Sequence, residues 1–133
     1  MEAGVRGFRK YKGDAGWRAK LRSVNDLIVE MAPGELKALL DAQQPVRLID
    51  VREPEEHSIC RIEGAELIPM GTIPAHLNDL NRDEPLMVVY CHHGMRSRRV
   101  VDWLRAQGVA NCRNLSGGID LWSAAVDPAI PRY

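Results

Sequence analysis

Cysteine is scarce in this 133-residue chain: Cys60, Cys91 and Cys112 are an odd set at irregular spacing. That excludes a disulfide framework and leaves reduced thiols, as in the cytoplasm. No CxxC pair is present, so the usual zinc-ligand spacings are missing too. Aromatic residues make up 5% of the chain, with one phenylalanine, and Trp17, Trp103 and Trp122 are too dispersed for a nucleic-acid stacking platform. No apolar run approaches the roughly 20 residues that a membrane helix needs. No apolar stretch of secretory type precedes Leu27. Net charge is also lacking, with 18 basic residues against 18 acidic.

That balance hides an asymmetry. Residues 1–26 hold seven Lys/Arg against three Asp/Glu, so they carry +4 and the remainder −4. The basic stretch shows no amphipathic period and reads as a solvated, flexible extension. Its seven cations, Arg6, Arg9, Lys10, Lys12, Arg18, Lys20 and Arg22, would suit an acidic partner. Residues 27–133 read as one mildly acidic domain, which argues against nucleic acid.

Within it, short apolar runs alternate with helical periodicity. Leu27–Met31, Val46–Ile49, Ala65–Ile68, Leu86–Tyr90 and Cys112–Leu115 have strand length. Helical spacing appears at Leu36, Leu39 and Leu40, at Ile73, Leu77 and Leu80 over Thr72–Leu80, and at Val100, Val101 and Leu104. Gly108 is placed to stop the last of these. Glu53-Pro54-Glu55-Glu56 suits the first turn of a short helix, and Ser116-Gly117-Gly118 turns the chain into a final one. Alternation of this kind predicts an α/β fold, a small and mostly parallel sheet with helices on both faces. Leu86–Tyr90, apolar at successive positions, is the expected central strand.

In such sheets ligands bind beyond the carboxyl ends of the strands, where Asp50 and Cys91 both fall. The run Cys91-His92-His93-Gly94-Met95-Arg96-Ser97 would deliver a thiol into a tight loop at a helix start. Loop N–H groups, the helix N-terminus and the Arg96 cation would all favour sulfur as an anion. Gly94 is expected to curl the loop where a side chain would crowd a bound anion.

Four residues separate Cys91 from Arg96, one fewer than in cysteine phosphatases and arsenate reductases. The smaller ring suits a sulfur substituent. Together with Leu48–Glu53, Glu55-Glu56, Ile62–Pro69 and Asn114–Ile119, this loop resembles the single-domain rhodanese (thiosulfate sulfurtransferase) family, over about residues 28–133. One departure is Cys60-Arg61-Ile62 where many members read Gly-His-Ile.

The resemblance implies a rhodanese-like three-layer fold and a double displacement. Cys91 would take a sulfane sulfur from a small anionic donor, thiosulfate or a persulfide, and pass it to cyanide, a thiol or a protein acceptor. It implies Cys91 and Arg96 as catalytic residues, and His92, His93, Gly94, Met95 and Ser97 as the substrate-binding loop. Asp50 and Arg52 would support that loop from behind. Neither cofactor nor metal is required, and neither nucleic acid nor membrane is an expected partner. Two other readings compete: a sulfur-relay module serving a protein in cofactor or tRNA thiolation, and a phosphate or arsenate enzyme of the same fold.

Overall fold

The computed structural model describes residues 28–133, so the basic extension expected over residues 1–26 lies outside the described residues. Five strands, β1 (Glu30–Met31), β2 (Val46–Asp50), β3 (Glu66–Leu67), β4 (Leu86–Tyr90) and β5 (Cys112–Leu115), form one sheet. Every pairing is parallel and the order is β1-β5-β4-β2-β3. The helices are α1 (Pro33–Asp41), α2 (Pro54–Ile59), α3 (Leu77–Leu80), α4 (Met95–Ala106) and α5 (Gly118–Ala125). A 3₁₀ segment, Met70–His76, runs directly into α3.

Strand β4 lies centrally, and Val88, Val89 and Tyr90 are wholly buried. Side chains alternate across a strand, so Val88 and Tyr90 join one core with Leu36, Leu48, Leu115 and Trp122. Val89 and Cys91 point into the opposite core, with Ile49, Leu80, Val101 and Leu104. Helices α1 and α5 cover the first face, while α4 and the 3₁₀–α3 segment cover the second. A strand sandwiched this way must be apolar throughout, which is why its sequence shows no alternation.

The strands are shorter at the sheet edges than the apolar runs implied: β1 and β3 span two residues each. The larger difference falls at Thr72–Leu80. Ile73 and Leu80 are buried as the periodicity requires, but Pro74 lies inside the run. Proline has no N–H and obstructs α-helical bonding, so the segment winds as 3₁₀ until Leu77. The helix α4 ends at Ala106, and Gly108 takes a left-handed conformation with φ +100° two residues later.

Buried polar groups are bonded into the frame. Arg105 on α4, 5% exposed, donates from Nη2 to the carbonyls of Cys112 (2.8 Å) and Ile28 (2.9 Å). It thereby ties the helix to β5 and the chain before β1. Cys112 is completely buried, and desolvation pushes its thiol up to about 12, which keeps it neutral and inert. Among the described residues, no helix is long and apolar enough to cross a membrane.

Candidate functional site

Cys91 directly follows β4, and Asp50 ends the adjacent parallel strand, in register with Tyr90. Both therefore stand at the carboxyl edge of the sheet, as the alternating pattern requires. Cys91 is 1% exposed, and the backbone around it is turned in two directions at once. The carbonyls of Cys91 and His92 point outward and accept the N–H groups of Ile119 (2.9 Å) and Asp120 (3.0 Å), in the first turn of α5. N–H groups point inward: Gly94 donates to Cys91 Sγ at 3.1 Å and Ser97 at 3.4 Å.

The second donor belongs to the first turn of α4, whose N–H groups have no intrahelical acceptor and whose dipole favours negative charge. The Ser97 hydroxyl lies 3.3 Å from the same sulfur. It also donates to the Asn114 side-chain oxygen. Asn114, buried on β5, donates in turn to Gly94 O (3.1 Å) and to both carboxylate oxygens of Glu30 (3.0 and 3.1 Å). Glu30 is further held by Ser116 Oγ (2.7 Å) and Arg98 (2.7 Å).

Two glycines permit this shape for different reasons. Gly94 has φ +99°, and a Cβ there would meet Gly117 N at 3.1 Å and Leu115 O at 3.5 Å. The crowding it avoids is thus with the following turn, whereas the sequence pointed to a bound anion. Gly118 was expected to be a plain turn residue. It has φ +62°, and a Cβ would lie 2.6 Å from Cys91 O, so its hydrogen is what lets α5 grip the loop.

Arg96 projects from the first turn of α4 into a two-point pair with Glu56, Nη1 to Oε1 at 2.8 Å and Nη2 to Oε2 at 2.9 Å. Those bonds hold Glu56 down to about 2 against partial burial, so it is ionised at any ordinary pH. The hydrogen bonds to Glu56, and the negative charge behind them, raise the pKa of Arg96 above the usual arginine range. The Tyr133 hydroxyl donates to Glu56 Oε2 at 2.8 Å and accepts from Arg52 Nη1 at 2.8 Å. Burial raises this phenol to about 12.

Arg52 itself is wholly buried. It bonds Asp50 through Nε (2.9 Å) and Nη2 (2.7 Å), and Cys60 O through Nη2 (2.6 Å). Burial opposes the charge on Asp50, but the bonds from Arg52 and from His57 Nδ1 (2.8 Å) outweigh it and hold the carboxyl below its normal range. Asp50 and Arg52 thus reach the loop indirectly, through Tyr133 and Glu56.

The remaining loop residues line the rim. Met95 is 72% exposed. The His92 ring stacks on Tyr133, with centroids 3.8 Å apart and planes 4° from parallel. Its buried Nε2 has no partner among the described residues. Burial and the charge of His93 lower its pKa, which leaves the ring neutral near pH 7. His92, His93 and Asp120 bring three potential metal-ligand atoms within 4.8 Å of one another. Both Asp120 oxygens are engaged by Arg132 at 2.9 and 3.0 Å, however, and the His92 and His93 rings lie with centroids 3.8 Å apart and planes tilted by 31°. Cys60 and Cys112 are buried and away from the cradle, as small apolar residues.

Sequence reasoning missed Glu56 as a partner of Arg96, and it gave no role in the site to Tyr133, His57, Asn114 or Glu30. Only Glu56 left a signal, as an acid in a helix-start motif just beyond Asp50 and Arg52.

A thiol at the carboxyl edge of a parallel sheet, met by two inward N–H groups at a helix start, defines an α/β domain organised around a cysteine loop. The chain belongs to the rhodanese-like domain family, whose model matches residues 32–125. It is 36% identical over 101 residues to the putative sulfurtransferase YtwF of Bacillus subtilis, covering 76% of this chain and 96% of YtwF. It is 35% identical over 105 residues to the probable adenylyltransferase/sulfurtransferase MoeZ of Mycobacterium tuberculosis, covering 77% of this chain. The chain spans 26% of the length of MoeZ, and 38% of a rhodanese-like/PpiC domain-containing protein of Arabidopsis thaliana. The crystal structure of a rhodanese-like domain protein from Staphylococcus aureus superposes with a TM-score of 0.68 at 36% identity, covering 80% of this chain and 99% of that one.

Proposed function

We propose that the protein is a sulfurtransferase that carries a sulfane sulfur as a persulfide on Cys91. The observation that carries this reading is the convergence of the Gly94 and Ser97 N–H groups on one buried sulfur, with the Ser97 hydroxyl beside it. Hydrogen bonds to a charged group are worth about 1.5–3 kcal/mol each. A persulfide anion, which would otherwise lose its hydration on burial, is therefore well served there.

In the first half-reaction the Cys91 thiolate attacks the outer sulfur of thiosulfate, the S–S bond breaks, and sulfite leaves with the electron pair. In the second, a thiolate or cyanide attacks the terminal persulfide sulfur and Cys91 departs as the thiolate. Arg96 is the cation assigned to the anionic donor, and the remaining loop residues shape the cradle. Asp50 and Arg52 hold the loop's surroundings through Tyr133.

A second reading has an observation of its own. MoeZ joins an adenylyltransferase to its sulfurtransferase portion, which favours a relay in which a protein takes the sulfur. Thiosulfate:cyanide turnover by the wild type, abolished in Cys91→Ser, tests the first reading. Turnover that persists in Cys91→Ser would refute it. Much faster transfer to a protein acceptor than to small thiols would favour the relay.

A further inference from the structure

An arginine in a sulfur-transfer site is there to meet an anionic donor, yet the Arg96 fork is already filled. Glu56 bonds both terminal nitrogens, and its pair of oxygens offers the guanidinium what two oxygens of thiosulfate would offer. Several contacts keep Glu56 in place. Its Oε1 accepts the Glu53 N–H at 3.1 Å at the start of α2, and its Oε2 accepts the Tyr133 hydroxyl at 2.8 Å. Tyr133 is itself fixed by Arg52 and by its stack on His92.

Asp50, Arg52, Glu56 and Arg96 form a chain of alternating charge that sums to zero, so the Arg96 cation is cancelled locally. With its pKa held to about 2, Glu56 does not release Arg96 by protonation near neutral pH. A dianion approaching a Cys91 thiolate then meets repulsion, and no free guanidinium at this position offsets it.

The geometry points to Glu56 as the specificity-determining residue of the Cys91 site, one that selects organic hydropersulfides over thiosulfate as the sulfur donor. This rests on the sulfur-carrier reading above. With R–S–SH, the Cys91 thiolate attacks the terminal sulfur, the S–S bond breaks, and R–S⁻ leaves with the electron pair. The new Cys91–S–SH passes its proton to solvent and stays as the anion in the cradle. No oxyanion forms, so the Arg96–Glu56 pair remains closed. With thiosulfate, the sulfonate end must displace Glu56 to reach Arg96.

Glu56→Gln removes the charge but keeps the shape and an acceptor for the Glu53 N–H. The test is the rate of sulfur loading on Cys91 of the full chain, with thiosulfate and with cysteine hydropersulfide as separate donors. The expected result is a rise in kcat/KM for thiosulfate of about three- to fivefold, the upper scale of a partly exposed ion pair, with the hydropersulfide value unchanged. An unchanged or lower thiosulfate value in Glu56→Gln, or an equal rise for both donors, would overturn the proposal. Should that variant fold poorly, Tyr133→Phe loosens Glu56 and gives a smaller rise for thiosulfate alone, and no rise would count equally against it. A wild type that loads sulfur from neither donor would overturn the carrier reading and this proposal together. Normal loading with an unshifted donor ratio in the variants would overturn only the role of Glu56.

Discussion

Two arginine–carboxylate pairs lie one phenol apart in this site, and they differ in almost everything but chemistry. Arg52 and Asp50 have side chains with no exposed surface, whereas those of Arg96 and Glu56 are 36% and 19% exposed. The buried pair has its bonds shared among His57, Cys60 O and Tyr133, so neither partner can leave without stranding the other in a medium that cannot solvate it. The outer pair can exchange one partner for a ligand at a far smaller cost than the buried pair could, because water reaches both groups. The first is a frame, and the second is a place where a ligand can compete.

Breaking the frame should have the largest effect. Asp50→Ala leaves the Arg52 charge buried without its carboxylate and is expected to cost about 3–5 kcal/mol, read from urea unfolding. A cost below that of an exposed pair would show that the burial is not felt. Tyr133→Phe removes the hydroxyl that joins the two pairs and leaves Arg52 Nη1 short of an acceptor. The expected loss is about 1–2 kcal/mol, measured in the same way. For Arg96→Ala the stability loss should be only about 0.2–1 kcal/mol, while loading from an anionic donor falls well beyond that. Equal losses in Arg96→Ala and Asp50→Ala would erase the distinction between the pairs.

The smallest effect is in the acid titration of Glu56→Gln. Glu56 has its folded-state pKa lowered from 4.5 to about 2, so its contribution is fully present above the unfolded value and lost as pH falls through the folded one. The wild type should exceed the variant in stability by a constant margin above about pH 4.5, and that margin should shrink toward pH 2. Stability curves measured between pH 2 and 7 check this, and a margin that grows in acid would contradict the assignment of Glu56 as an ionised partner.

Much of the frame was legible in the sequence because it depends on local pattern. Leu86–Tyr90 had to be a doubly buried strand, and a parallel partner ending at Asp50 had to place Asp50 beside Cys91. The loop from Cys91 to Ser97 was legible for the same reason, since its donors are backbone groups within six residues of the sulfur. Pro74 was in plain view, yet the periodicity of Ile73, Leu77 and Leu80 outweighed it, and the first part of that segment proved to be 3₁₀. What stayed hidden was long-range. Glu56 meets Arg96 across 40 residues, Tyr133 meets Glu56 across 77, and Glu30 meets Asn114 across 84. Such contacts depend on how the tail and the first strand pack, and side-chain type alone carries no trace of them. Gly118 was visible as a glycine, but its reason, the close approach of α5 to the Cys91 carbonyl, exists only in three dimensions.

The central claim is that the inward N–H groups hold a persulfide on Cys91, and intact-mass spectrometry of the full chain after brief exposure to a sulfane-sulfur donor tests it most directly. One added sulfur atom, removed by cyanide and absent from Cys91→Ser, is the expected result. A wild-type mass that never rises, or an added sulfur that persists in Cys91→Ser, would contradict it.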